Sequence, residues 1–211
     1  MYQPPHFAET RVPVMHALMR SHPFALLVTL QDGVIAADHL PIAIDETASD
    51  LGTLRAHVAR ANPIVRHCAD GSDVLAVFQG PQAYVTPSWY PSKREHGKVV
   101  PTWNYAVVHA CGAIRFHDDP VWLRRQLDML TTRQEAPRSE PWSIDDAPDD
   151  FMQRQMRGIV GIEIEIVSLD GKWKMSQNKD AADRVGVRDG LTGDADADAV
   201  AVAALVAERS S

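Results

Sequence analysis

The stretch Ile162-Glu163-Ile164-Glu165-Ile166 decides the fold of this chain. Isoleucine and glutamate alternate strictly, the period of two expected of a strand with one face in a core and the other toward water. Two further segments share the extended reading. Phe24-Ala25-Leu26-Leu27-Val28-Thr29-Leu30 is too short and too apolar for anything but a buried strand. Gln31-Asp32-Gly33 then turns the chain tightly into Val34–Ile42, which makes a hairpin.

Further strands are expected over Leu51–Val58, Asp73–Phe78, Gln82–Thr86 and Trp103–Phe116, with Gly80-Pro81 as a turn and Gly171 turning the chain into Lys172–Ser176. Helices are expected over Glu9–Ser21, with Thr10 as cap, and over Val121–Gln134 behind Asp119-Pro120. Shorter ones fit Asn62–Asp70 and Pro148–Met156, and another starts at Asn178 or Asp180 and runs toward Arg188. Six or more strands with short connections and a few helices imply a mainly β, closed or partly closed antiparallel barrel with peripheral helices. The reading is one domain over residues 1–191. Residues 192–211 follow as an Ala/Asp-rich tail, poorly ordered or a short helix.

The 211 residues carry 28 acids and 21 bases, a net charge of −7. That argues against a nucleic-acid coat, where clustered basic charge supplies the affinity. The charge is uneven, however. The tail from Asp189 holds five acids and one base, and Glu140–Asp150 holds five acids and no base, whereas Lys172–Arg188 holds five bases and two acids. Local basic sites of that size suit one phosphate better than a DNA backbone. The two cysteines are too few for a disulfide scaffold or a paired zinc site. No secretion signal and no membrane span is read, so a cytoplasmic location is expected.

Nucleotide cradles of the G-x-G-x-x-G and G-x-x-x-x-G-K-[ST] types are absent, as are G-x-S-x-G and H-E-x-x-H. Nine histidines show no helical metal spacing, so no metal ligand is assigned, although His39 and His57 sit on different strands that can converge. Three segments stand out. On a strand, Arg55 and His57 share one face and Arg60 follows, which suits either a phosphate or an ordinary polar exterior. Ser88-Trp89-Tyr90 and Trp103-Asn104-Tyr105 gather rings that can wall a flat ligand, pack a barrel end or line a dimer interface. Lys172–Lys179 is a basic strand end opening a helix, where an anion or another protein can bind.

The same segments carry a family resemblance. Tyr84-Val85-Thr86-Pro87-Ser88-Trp89-Tyr90 is one; Val100-Pro101-Thr102-Trp103-Asn104-Tyr105 with His109 is another; Lys174-Met175-Ser176-Gln177-Asn178-Lys179 is the third. Together with Met1-Tyr2-x-Pro4-x-His6-Phe7 and His22-Pro23-Phe24-Ala25, they resemble the PaiB-type FMN-binding negative transcriptional regulators, from Met1 to about Leu191. The resemblance implies a flavin-binding split barrel related to the pyridoxamine-phosphate oxidases, a homodimer, and FMN near the subunit boundary. It implies Arg55, His57 and Arg60 at the FMN phosphate and Lys174, Ser176, Gln177 and Lys179 at the cofactor or the dimer edge. Ser88 is placed with the cofactor too, and Trp89 and Trp103 would close the site. No catalytic residue is named, because the chemistry would belong to the flavin. Two functions stay open: a regulator that uses FMN as a sensor and a small flavin-dependent oxidoreductase. Another planar ligand such as haem is a lesser alternative. A DNA or protein partner is implied by the regulatory label, but the helix near Asp119–Gln134 runs into an acidic loop and does not read as a DNA-reading helix.

Overall fold

The alternating stretch lies inside one long strand, β8 (Ile159–Lys174), in a computed structural model that describes residues 1–209. Ile162, Ile164 and Ile166 are buried, while Glu165 faces solvent. The partner strand β5 (Thr53–Ala59) sets Leu54 across from Ile164 and Ala56 across from Ile162, so the inward rows of both strands meet. The outward row pairs Arg55 with Glu163.

The hairpin is β2 (Phe24–Gln31) and β3 (Val34–Pro41), with Gln31 across from Val34. Asp32 and Gly33 both have positive φ, 49° and 82°. That is the mirror-image turn whose twist matches the flanking strands, and an Asp-Gly pair tolerates it best. The other strands are β1 (Ala8–Glu9), β4 (Ala43–Asp45), β6 (Asp73–Val85) and β7 (Thr102–His117). They form one antiparallel eight-stranded sheet in the order β3-β2-β6-β7-β8-β5-β4, with β1 added beside β8. The fold is thus mainly β and antiparallel. The path ends at β3 and β4, so the ladder itself is not closed into a barrel.

Among the differences from expectation, three have a clear physical reason. Gly80-Pro81 does not turn the chain but runs through β6. The β2 ladder covers only Leu75–Val77, so β6 is an edge at Pro81, the setting in which a residue without an N–H is tolerated. Gly171 likewise continues β8 instead of turning it, because β1 pairs there, Glu9 to Gly171. A Cβ at that position would lie 2.7 Å from Met15 Sδ, so glycine serves close packing there. The first helix, α1 (Val12–Ser21), starts later than Glu9, and Thr10 does not cap it. Glu9 belongs to β1, and its carboxylate accepts from the Arg11 backbone N–H at 2.8 Å.

The remaining helices are α2 (Ile64–His67), α3 (Ser92–Glu95), α4 (Pro120–Glu135), α5 (Asp149–Arg157), α6 (Ala181–Thr192) and α7 (Ala197–Glu208). Asp119 caps α4 by accepting from the N–H groups of Val121 and Trp122. In α7 Ala199, Val202, Ala203 and Val206 are buried; residues 210 and 211 of the Ala/Asp-rich stretch lie outside the described residues. Among the described residues no helix is long and apolar enough to cross a membrane.

The chain divides into two units that share β6, β7 and β8. One comprises residues 16–78 and 109–169, with Leu27, Leu54, Phe78, Ile114, Leu123 and Ile162 in its core. The other comprises residues 1–15, 79–108 and 170 onward, with Val85, Tyr90, Val108, Trp173, Met175 and Leu191 in its core.

Candidate functional site

Each unit holds one of the two basic clusters expected from sequence, and their electrostatics differ. In the first, strand alternation puts Arg55 and His57 on one face of β5. Arg55 donates to Asp45 at 2.6 Å and to Glu163 at 2.9 Å. Burial alone would lower its pKa; the hydrogen bonds and charge of Glu163, then of Asp45, outweigh that and raise it. His57 Nδ1 lies 2.9 Å from Gln126 Oε1 of α4. Trp122, one turn earlier, stacks on His117 with ring centroids 4.3 Å apart and covers Gly161, where a Cβ would overlap its ring. Arg60 is bound by Asp118 at 2.8 Å and by the carbonyls of Arg157 and Ile159. Arg55 itself is thus held between two carboxylates. A pocket of about 110 Å³ remains between Arg55, Trp122, Arg125 and Gln126.

The second cluster lies where β8 ends. Ser176 takes a left-handed φ of 63° and is buried. Its side chain exchanges hydrogen bonds with the fully buried Asn104 amide of β7, at 3.0 and 3.2 Å. Gln177 holds the turn: its Oε1 accepts from the Met175 N–H at 2.7 Å and its amide donates to the Trp173 carbonyl at 2.6 Å. The strained turn aims Lys174 and Lys179 into one pocket of about 130 Å³, which Thr102, Asn104, Ser176 and Asn178 also line. Lys174 Nζ donates to Thr102 Oγ1 and to the Trp103 carbonyl. Burial first, then the positive fields of Lys172 and Lys179, hold the Lys174 ammonium below the usual lysine range. Lys179 sits over the Tyr90 ring at 4.8 Å, and the buried Tyr90 hydroxyl has no hydrogen-bond partner among the described residues.

None of Lys172, Lys174 and Lys179 forms an ion pair with a carboxylate among the described residues. Three like charges brought together without an acid raise the free energy of the site until an anion arrives. The donor set fits a phosphomonoester: two ammonium groups, two hydroxyls and two amides around a space of about four water volumes. Trp103 and Tyr84, in edge-to-face contact at 6.1 Å, leave large parts of their rings in solvent in the same unit.

The other expected residues have simpler roles. Ser88 Oγ accepts from Lys93 Nζ at 3.2 Å. Trp89 packs on α6, its ring over Gly190 and its carbonyl against Gly186. Asn104, Thr102 and Asn178 stand inside the quoted motifs but carry no individual site signal in the sequence. Asn104 is an amide buried in an apolar strand, a costly placement that needs a polar partner.

Residues 1–168 match the model of the FMN_bind_2 family, described as "Putative FMN-binding domain". The chain is 30% identical to the Bacillus subtilis "Protease synthase and sporulation protein PAI 2", over 99% of this chain and 98% of that protein. It is 33% identical to an uncharacterized protein of Aspergillus fumigatus over 90% of each. Two solved structures share the fold. A conserved hypothetical protein of Mycobacterium tuberculosis superposes with a TM-score of 0.59 at 12% identity, over 85% of this chain and 94% of that one. The FAD and heme binding protein of Mycobacterium smegmatis gives 0.54 at 17% identity, over 79% and 73%. The match over 168 residues and the full-length likeness to the Bacillus protein place this chain in the FMN-binding domain family, with FMN as its cofactor.

Proposed function

We propose that this protein is a PaiB-type regulatory protein that senses its surroundings through bound FMN, and that Lys174, Ser176 and Lys179 hold the FMN phosphate. The observation that carries the reading is the convergence of Lys174 and Lys179 on one pocket without an acidic partner. Asn104 and Gln177 keep the turn in shape and so position the lysines. Arg55, His57 and Arg60, already bonded within the chain, act as structural ties in this reading. When bound, FMN supplies one- or two-electron redox chemistry, and the protein has only to bind it, orient it and limit water around it.

The working form in this reading is a homodimer with the sheet of a split barrel. Val100 at the pocket and the Trp103–Tyr84 pair are exposed apolar residues of the same unit, and a second copy would cover them. Such a cover would also exclude water from the flavin.

The test is a titration of the purified protein with FMN, followed by flavin absorbance. Lys174→Met, which keeps the apolar stem, is expected to weaken FMN binding by roughly 10- to 100-fold, the value of one charge-assisted contact. Unchanged affinity would remove Lys174 from the phosphate. A gel shift against random competitor DNA then examines the regulatory role. A specific complex supports it, whereas steady NAD(P)H turnover with no such complex identifies a small flavin-dependent oxidoreductase instead.

A further inference from the structure

A second cleft, larger than either basic pocket, opens between α4 and α5 with a volume of about 740 Å³. That lies in the range of sites for small organic ligands. It shares no residue with the Lys174 pocket. Its floor is made by Leu123, Met152 and Met156, all buried, and its lip by Pro120 and the exposed Val121. Met152 and Met156 stand one turn apart on α5, so both thioethers point the same way. Thioether chains adapt to the shape of what they cover. Among the described residues no aromatic side chain lines the cleft. The floor therefore suits a flexible aliphatic chain better than a planar ring.

Charge fixes the other end of the ligand. Four arginines and two aspartates line the cleft. Arg60 is paired with Asp118, and Arg124 with Asp145 outside the lining. Asp149 remains at the start of α5. Arg125 and Arg157 remain as exposed guanidinium groups in no ion pair among the described residues. Two unpaired guanidinium groups above an aliphatic floor match a molecule with one anionic head and a long apolar body. A guanidinium takes a carboxylate through two parallel hydrogen bonds.

We infer that the α4–α5 cleft is a binding site for an aliphatic carboxylate of fatty-acid type, its chain on Leu123, Met152 and Met156 and its head on Arg125 and Arg157. The site is independent of the FMN reading, because a different set of residues carries it. A bound carboxylate would bridge α4 and α5.

Laurate is the probe, titrated calorimetrically into the FMN-loaded full chain. One saturable site per chain is expected. The double variant Arg125→Gln/Arg157→Gln is expected to bind laurate at least tenfold more weakly while its affinity for FMN stays as in the parent. Dodecanol, which keeps the chain and lacks the charge, should match the weakened value. Met156→Glu, which puts a like charge on the floor, should abolish laurate binding; its thermal melt shows whether it is folded. The proposal is overturned if laurate shows no saturable binding, or if the double variant or dodecanol binds as laurate does to the parent. It is also overturned if Val121→Glu converts a larger sedimenting species to a smaller one, since a second copy would then occupy the cleft.

Discussion

Glu9 shows how much one residue can depend on distant parts of the chain. It is buried and bonded by the side chain and backbone N–H of Arg11 and by Arg209, 200 positions away. Burial pushes its pKa up, but these donors together outweigh that and bring it from 4.5 down to about 2. A depressed carboxylate stabilises the fold above its unfolded pKa and loses that contribution as pH falls through the folded one. Glu9→Gln is therefore expected to cost about 2 kcal/mol at neutral pH. The deficit should be constant above the unfolded value of 4.5 and shrink as pH falls toward about 2. Urea unfolding at a series of pH values measures it, and a deficit that does not narrow in acid would assign the loss to packing instead. Nothing near Glu9 in sequence announces Arg209. The lysines at the candidate site are easier to read, since Lys174 and Lys179 flank one turn and proximity in sequence already brings them together.

Elements were legible wherever the pattern was local. The hairpin around Asp32-Gly33 and the alternating isoleucines of β8 needed only period and turn chemistry. Gly80-Pro81 and Gly171 misled because both mark turns in isolation, whereas here an unpaired edge and a close neighbour explain them. Helix α6 offers a sharper case. Gly186 and Gly190 are one turn apart and face Trp89. In an isolated helix, glycine to alanine stabilises by about 1 kcal/mol. Here a Cβ at Gly186 would overlap the Trp89 carbonyl, which is backbone and cannot move aside cheaply. Gly186→Ala is expected to destabilise by about 1–3 kcal/mol, the usual range for overpacking. A thermal melt reads the sign directly, and a stabilised variant would show that Trp89 does not rest on this helix.

At the scale of the whole molecule, the proposed dimer and its cofactor can be examined together. Trp103 is 53% exposed and Val100 68% exposed, apolar surface of the kind a second copy would cover in the proposed dimer. Trp103→Glu is expected to shift the sedimenting species from dimer to monomer and to weaken FMN binding in step. Retention of a dimer by this variant would move the interface elsewhere. Ligand linkage adds a second reading, because FMN at about 100 times its dissociation constant should stabilise the fold by about 2.7 kcal/mol.

The sequence by itself determined the antiparallel β character, the hairpin, the long strand before α4, the basic turn after β8 and the family resemblance. Each rests on residues close along the chain, where period, turn chemistry and motif spacing operate. Only the tertiary structure shows which basic side chains are paired with acids. Arg55 and Lys174 look alike in sequence, but Asp45 and Glu163 flank the first and, among the described residues, no acid pairs with the second. The α4–α5 cleft is likewise invisible along the chain, since its floor and its two unpaired arginines come from helices joined by a long acidic connection. Pairing between charges depends on distance in space, and a linear pattern carries that distance only over a few residues.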